Sequence, residues 1–378
     1  MEIEVGKLIK KAKVKKCGNE KYSVLSMTMH EGLMFQDDRF KKQIASVDQS
    51  SYQVVSRHQL VESFPIDEGV LAVQELADEG IVSPAYKIWD VDTDKVIPKY
   101  LEYALRSPRS IEYYKSKLRG TTARRRSIPD ADFLSMLIRF PVLEEQSNIV
   151  DSIEKVKSII DLRKKELETV DDLIKARFVE LFGSQEYEKK QLIELIQEGA
   201  GLSYGIVVPG DNVEDGIPMV RPSDFKNGSL NLDNVYRVAS DIECKYKKTR
   251  LIGDEILVQV IGQPGQVMLS DERCKGMNVT RNLAVIRIDK NKADRLFISH
   301  YLTTEEAQRF MFGSTNQSTL KQLPLNKLKE LPVPLVPVNE QVQFADFVKQ
   351  VDKSKVVVQK ALDETQLLFD SLMQKYFG

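Results

Sequence analysis

Residues 141–183 (PVLEEQSNIVDSIEKVKSIIDLRKKELETVDDLIKARFVELFG) recur 195 residues later, at 336–378, as VPVNEQVQFADFVKQVDKSKVVVQKALDETQLLFDSLMQKYFG. The two stretches align without a gap, and Glu145/Glu340, Gln146/Gln341, Asp151/Asp346, Val156/Val351, Lys165/Lys360, Leu167/Leu362, Leu173/Leu368, Phe182/Phe377 and Gly183/Gly378 are identical. In the first copy Ile149, Ile153, Val156, Ile160, Leu167, Val170, Ile174 and Leu181 recur at alternating spacings of four and three, interrupted at Arg163 and Arg177. The second copy reads Phe344, Val348, Val351, Lys355, Val358, Leu362, Thr365, Phe369, Leu372 and Tyr376 in the same phase. An apolar seam of period 3.5 kept over five heptads is the pattern of paired long helices. Forty such residues make a rod of about 60 Å. At the position matching each arginine that breaks the first seam, the second copy has an apolar residue, Val358 and Leu372, so the seams read as complementary. A duplicated chain with two-fold pairing runs its rods antiparallel. Ile149 is then expected near Tyr376, Leu181 near Phe344 and Arg163 near Leu362.

The segments between the rods repeat as well, more loosely. In residues 1–142, KYSVLSMTMH, SYQVVSRHQLVESF and GIVSPAYKIWDV read as strands. A helical stretch, Tyr100–Lys117, follows with a joint at Pro108, then a basic loop, LRGTTARRRSIP, and the apolar FLSMLIRFP. In residues 184–334, IPMVRPSDF, TRLIGDEILVQVIG and KGMNVTRNLAVIRID take the places of the three strands. FISHYLTTEEAQRFM, the polar GSTNQSTLKQLP and KLKELPVPL then complete the same order. The chain therefore reads as an internal duplication of about 195 residues. Mixed α/β domains are expected at 1–142 and 184–334 and long helices at 143–183 and 335–378, the second helix closing the chain.

Bulk properties narrow the function. A chain of 378 residues suffices for two or three cores. No apolar run is long enough to cross a membrane, and MEIEVGKLIKKAKVKK lacks the core of a secretory signal, so a cytoplasmic location is expected. Cys17, Cys244 and Cys274 are odd in number and far apart, and His30, His58 and His300 are isolated, so neither a disulfide framework nor a metal site is indicated. The net charge of −1 divides into +3 for 1–142, −3 for 143–183, 0 for 184–334 and −1 for 335–378. A nucleic-acid binder of this composition depends on local basic clusters rather than a global field.

Catalytic signatures are missing. There is no glycine-rich cofactor turn paired with an Asn/Asp-Pro-Pro-aromatic segment, as a DNA methyltransferase needs, and no GxxxxGK[ST] phosphate loop. Gly262-Gln-Pro-Gly265 reads as a turn, and Asp224 with Glu243-Cys-Lys245 only imitates a nuclease set, because that lysine opens the solvated run KYKKTR. The lysine-rich 7–16 also reads as a solvated face. Recognition chemistry is better supplied. Arg119, Thr121, Thr122, Arg124, Arg125 and Arg126 share one loop, where guanidinium forks and hydroxyls suit phosphate or guanine. The second half offers Asn316, Gln317, Ser318 and Lys321 in the matching loop, with Asn278, Arg281 and Asn282 on one presumed strand edge and Gln259 and Gln263 on another. Asn and Gln pair with adenine as Arg pairs with guanine. Ser83, Tyr86 and Arg221 complete the candidates. The two halves thus present different chemistry from one scaffold.

The stretches FPVLEEQ…ARFVELFG and LPVPLVPVNEQ…LMQKYFG resemble the central and distal conserved regions of type I restriction–modification specificity subunits. The second copy departs from the pattern in PVNEQ for PVLEEQ and in the seam residues Lys355 and Thr365. The resemblance implies a non-catalytic subunit in which two target-recognition domains read a bipartite double-stranded DNA site and an antiparallel coiled coil sets the gap. It implies no cofactor in this chain. Two modification (methyltransferase) subunits would hold S-adenosylmethionine, and restriction (translocase/nuclease) subunits would use ATP and magnesium. The competing readings are a coiled-coil scaffold with two protein-binding domains, and a self-sufficient DNA nuclease or methyltransferase.

Overall fold

The computed structural model describes the chain apart from residue 30 and residues 40–48, 119–125, 227–228 and 314–321. The chain forms two compact units, Met1–Lys165 with Gln359–Gly378, and Glu166–Val358. The long helices are Leu143–Phe182 and Val338–Phe377, both of 40 residues. The division falls inside these helices, so each unit owns one half of each.

In the first unit, Ile149 and Ile153 near the start of one long helix are buried with Met373 and Phe377 at the end of the other, and Phe369, Leu372 and Tyr376 pack against them. In the second unit, Ile174, Phe178 and Phe182 at the end of the first helix are buried with Phe344 and Val348 at the start of the second. The Phe344 ring meets Phe178 and Phe182 edge-on, with centroids 5.3 and 5.8 Å apart. Start meets end in both units, so the pairing is antiparallel, and the expected neighbours Ile149 and Tyr376, and Leu181 and Phe344, share their clusters. The polar interruption at Lys355 is used: its ammonium reaches Asp171 at 2.6 Å. Arg163 and Leu362 are both half-buried, and the Nε of Arg163 is buried without a hydrogen-bond partner.

Each unit carries the same four-stranded antiparallel sheet. In the first the order is Ile9–Lys11, Lys87–Val91, Leu60–Glu62, Leu71–Val73. In the second it is Ser203–Tyr204, Leu283–Ile286, Ile256–Gln259, Val267–Leu269. The last three strands of each set begin 196 residues apart. Parallel pairing recurs too: Val24 bridges Ile81, as Met219 and Val220 pair with Asn278 and Val279. The three strand equivalences expected from the sequence therefore hold.

Their lengths do not. SYQVVSRHQLVESF is two strands, Gln53–Ser56 and Leu60–Glu62, separated by a turn in which His58 takes a positive φ of 69°. GIVSPAYKIWDV is likewise Glu79–Val82 and Lys87–Val91, and KGMNVTRNLAVIRID is Asn278–Val279 and Leu283–Ile286. The first helical stretch breaks as expected, into Pro98–Leu105 and Pro108–Lys117, and the second, read as one helix, is also two, Arg295–Thr303 and Glu305–Phe312. At each joint a hydroxyl caps the second helix: Ser107 accepts from the Ser110 N–H and Thr304 from the Ala307 N–H, both at 3.3 Å.

The shared Glu-Gln pair has a structural explanation. Gln146 is fully buried; its Oε1 accepts from the Ile97 N–H at 2.9 Å and its Nε2 donates to the Pro141 carbonyl at 2.9 Å. Gln341 does the same in the second unit, accepting from the Asp294 N–H at 2.8 Å and donating to the Val336 carbonyl at 2.7 Å. Ile97 and Asp294 each precede the first of the two short helices. One buried amide in each unit thus ties that helix start to the approach of a long helix.

Candidate nucleic-acid interface

The residues expected to recognise a ligand separate into three groups. Arg119, Thr121, Thr122, Arg124, Arg125, Asn316, Gln317, Ser318 and Lys321 lie outside the described residues.

A second group is committed to the fold. Arg126 is ion-paired with Asp67 at 3.1 Å and with Glu68, and its carbonyl accepts from the Ile66 N–H at 3.0 Å. Arg221 grips Asp224 through Nε and Nη2, reaches the Asn234 carbonyl and lies over the Tyr236 ring. Asn278 corrects the sequence reading most clearly: it sits on a strand edge, as expected, but its side chain is 0 % exposed. It donates to Glu243 and to the Tyr246 carbonyl, both at 3.0 Å, and accepts from Thr249 at 2.8 Å. Burying an amide is tolerable only with its hydrogen bonds made inside. Gln259 is also buried and donates to the Ile261 carbonyl at 2.9 Å. The acidic residues that imitated a nuclease set are similarly occupied. Asp224 holds Arg221, and Glu243 is bound by Arg250, whose guanidinium keeps the carboxyl below the usual carboxylate range despite burial. Among the described residues no group of three or more His, Cys, Asp and Glu could hold a metal ion.

The third group stands on turns at the surface. Ser83 and Tyr86 bracket a turn whose two carbonyls both accept from Gln53 Nε2, at 3.0 and 2.8 Å, and the Tyr86 ring meets Phe64 edge-on at 5.8 Å. Gln263 is exposed and accepts from Gln266. Arg281 is exposed and Asn282 half-buried on the turn before Leu283–Ile286. Sequence reasoning missed Gln53, whose clamp leaves no trace in the strand pattern. It set aside Lys245, Lys247 and Lys248 as a solvated run and did not consider Lys275; all four are exposed and, among the described residues, without an ion pair.

The family model for the type I restriction modification DNA specificity domain matches residues 186–365. The type I restriction enzyme EcoBI specificity subunit of Escherichia coli is 24 % identical over 273 residues, 64 % of this chain and 57 % of that one. Residues 186–365 of the chain are thus similar to the DNA specificity domain of type I restriction–modification systems. A second relative, the putative type I restriction enzyme MjaX specificity subunit of Methanocaldococcus jannaschii, is 23 % identical over 294 residues, 71 % of this chain and 66 % of that one. The matches thus span less than two thirds of either relative. The fold agrees with that of the type I restriction-modification system S subunit from M. genitalium, with a TM-score of 0.50 at 16 % identity, covering 100 % of this chain and 96 % of that one. It also agrees with a chain from a structure describing complex assembly and conformational transition of the type I R-M system, with a TM-score of 0.57 at 16 % identity over 100 % and 97 % of the two chains.

Proposed function

We propose that this chain is the non-catalytic DNA-recognition subunit of a type I restriction–modification complex, each unit reading one half of a bipartite double-stranded site. The observation that carries the reading is one framework built twice with different surface chemistry. The strands that begin at Leu60, Leu71 and Lys87 return at Ile256, Val267 and Leu283. In the turn before the last of these, Ala85 and Tyr86 are replaced by Arg281 and Asn282. Buried Gln146 and Gln341 keep their partners while the exposed positions diverge, as two different half-sites require.

The partners in this reading are two modification subunits holding S-adenosylmethionine and restriction subunits using ATP and magnesium; the chain itself holds no cofactor. The long helices leave large apolar side chains uncovered, Leu162 and Leu367 in the first unit and Val356 and Val357 in the second, each more than 60 % exposed. Apolar residues grouped on a helix surface suit a protein partner, which is where the scaffold reading and this one agree. DNA binding separates them. The full chain with its modification subunits is expected to bind one duplex sequence far more tightly than random duplex, with an affinity that falls as salt rises. Equal binding to all sequences, or none, refutes the proposal, and methyl transfer or cleavage by the isolated chain would favour the self-sufficient enzyme.

A further inference from the structure

On the second unit, Tyr204, Val207, Ile261, Arg281 and Gln322 line an open recess of about 240 Å³. Of the arginines whose side chains are described, only Arg163 and Arg281 make no hydrogen bond, ion pair or ring contact. Arg163 is half-buried on the helix seam, whereas Arg281 is exposed at the recess. The Tyr204 hydroxyl and the Gln322 amide also lack partners among the described residues. Three uncommitted polar groups therefore converge on one small concavity. In the same unit, Arg221, Arg250, Arg273, Arg287 and Arg295 are each bound to a carboxylate.

The backbone beneath Arg281 is held firmly. Its N–H donates to the Ile206 carbonyl at 2.9 Å, Thr280 N–H to Val220 at 3.0 Å and Leu283 N–H to Thr280 at 3.0 Å. Ile206 comes this close because residue 205 is glycine; a Cβ there would lie 1.9 Å from the Val279 carbonyl oxygen. The neighbouring Val207 and Val208 are exposed, and an apolar side chain in that position can meet a thymine methyl. The residues at the matching positions of the first unit differ. Tyr204 pairs with Ala284, and in the first unit the residue bonded to the equivalent Ile88 is Ala12, while Ala85 replaces Arg281.

We propose that Arg281 is a specificity-determining residue that reads a guanine in the major groove through O6 and N7, with Val207 making apolar contact to an adjacent base and Tyr204 and Gln322 flanking it. A free guanidinium on a rigid turn is pre-organised for the bidentate geometry this contact needs. The inference rests on the DNA-reading function proposed above.

The test selects preferred sites from random-sequence duplex DNA with the full chain and its modification subunits, comparing wild type, Arg281→Ala, Arg281→Lys and Arg281→Gln. Arg281→Ala is expected to lose preference for one G·C pair in one half-site, by roughly 5- to 150-fold, and to keep every other position. Arg281→Lys should retain the salt dependence yet lose much of the guanine preference, and Arg281→Gln should move the preference toward adenine. Because these side chains are exposed, thermal melting should match wild type; if the alanine variant misfolds, the lysine variant decides. Selection of the unchanged site at unchanged affinity overturns the inference. So does an equal loss on all sequences with a salt slope lower by about one, which would make Arg281 a phosphate contact. A wild-type complex that selects no site overturns DNA reading itself, and this inference with it.

Discussion

Replacing Gln146 by leucine keeps the size of the side chain and removes both of its hydrogen bonds. The Ile97 N–H and the Pro141 carbonyl, each 2.9 Å from the amide, would lose their partner beside a residue that is 0 % exposed. An unsatisfied buried polar group costs about 1–3 kcal/mol. Both backbone groups belong to half-buried residues, so water can recover part of that, and roughly 2–4 kcal/mol is expected. For a unit of this size that lowers the melting temperature by roughly 4–16 °C, at about 2–4 °C per kcal/mol. Gln341→Leu should cost a similar amount in the other unit. Gln366 is exposed, bonded only to Asp370, so Gln366→Leu should change little. Gln146→Glu is a sharper probe. Its ionised carboxylate can still accept from Ile97 but would face the Pro141 carbonyl, so burial and that contact should raise its pKa. A raised folded-state pKa means the contribution is present at low pH and lost as pH rises through that value, so the variant should recover on acidification. Urea titration followed by circular dichroism at several pH values measures all of this. A Gln146→Leu protein as stable as wild type, or a Gln146→Glu protein equal to it at neutral pH, would show that the paired amides do not hold the helix starts.

Burial depresses His300 from 6.5 to about 4, with Lys355 acting in the same direction and Asp171 against it. The neutral ring's contribution should therefore be full above about pH 6.5 and lost as pH falls toward 4, and His300→Phe should flatten that part of a stability–pH curve. Asp352, raised by desolvation against the pull of Lys355 and with Asp171 adding to the rise, acts in the opposite sense and should be kept in both proteins as the common background. Arg126→Ala should weaken folding through Asp67 and Glu68, whereas Arg124→Ala with Arg125→Ala should reduce DNA affinity without altering the melting temperature; unchanged binding after both replacements would remove that loop from the interface. Deleting one heptad from both long helices preserves the seam and removes about 10 Å of helix. Selected sites should then show a gap shorter by about three base pairs at about 3.4 Å each, with unchanged half-sites.

The long helices were legible because a seam of period 3.5 has few alternative explanations; burial follows it at Ile149, Ile153, Val156, Ile160 and Ile174 and at Phe344 and Val348, but at the far ends the buried residues are Phe178, Phe182, Met373 and Phe377, one position past the seam. The duplication placed the equivalent strands, because buried sheet positions keep their type even when identity is lost. Turns were less legible. SRHQ lacks the glycine or asparagine that usually marks a left-handed position, and histidine, though it enters that region more readily than most residues, is too weak a signal to place His58 there. The site was least legible of all. An exposed amide and a buried one look alike in a strand, so Asn278 and Gln259 read as edge residues although the fold consumes their hydrogen bonds. Arg221 and Arg281 likewise differ only in whether a carboxylate stands nearby, and in Arg221 that carboxylate, Asp224, is three residues away.

Because the first unit is closed by Gln359–Gly378, its core contains residues far apart in the order of synthesis. Tyr100 packs against Phe377 with ring centroids 5.2 Å apart, and Met373 joins the same cluster. The second unit, Glu166–Val358, is continuous in the chain. On the ribosome, where domains generally form as their residues emerge, the order is therefore inverted. The unit translated second can reach its native state while the unit translated first still waits for its final twenty residues. A stop codon near position 358 would leave Glu166–Val358 intact and strand Met1–Lys165 with an uncovered apolar face, a substrate for chaperones and proteases.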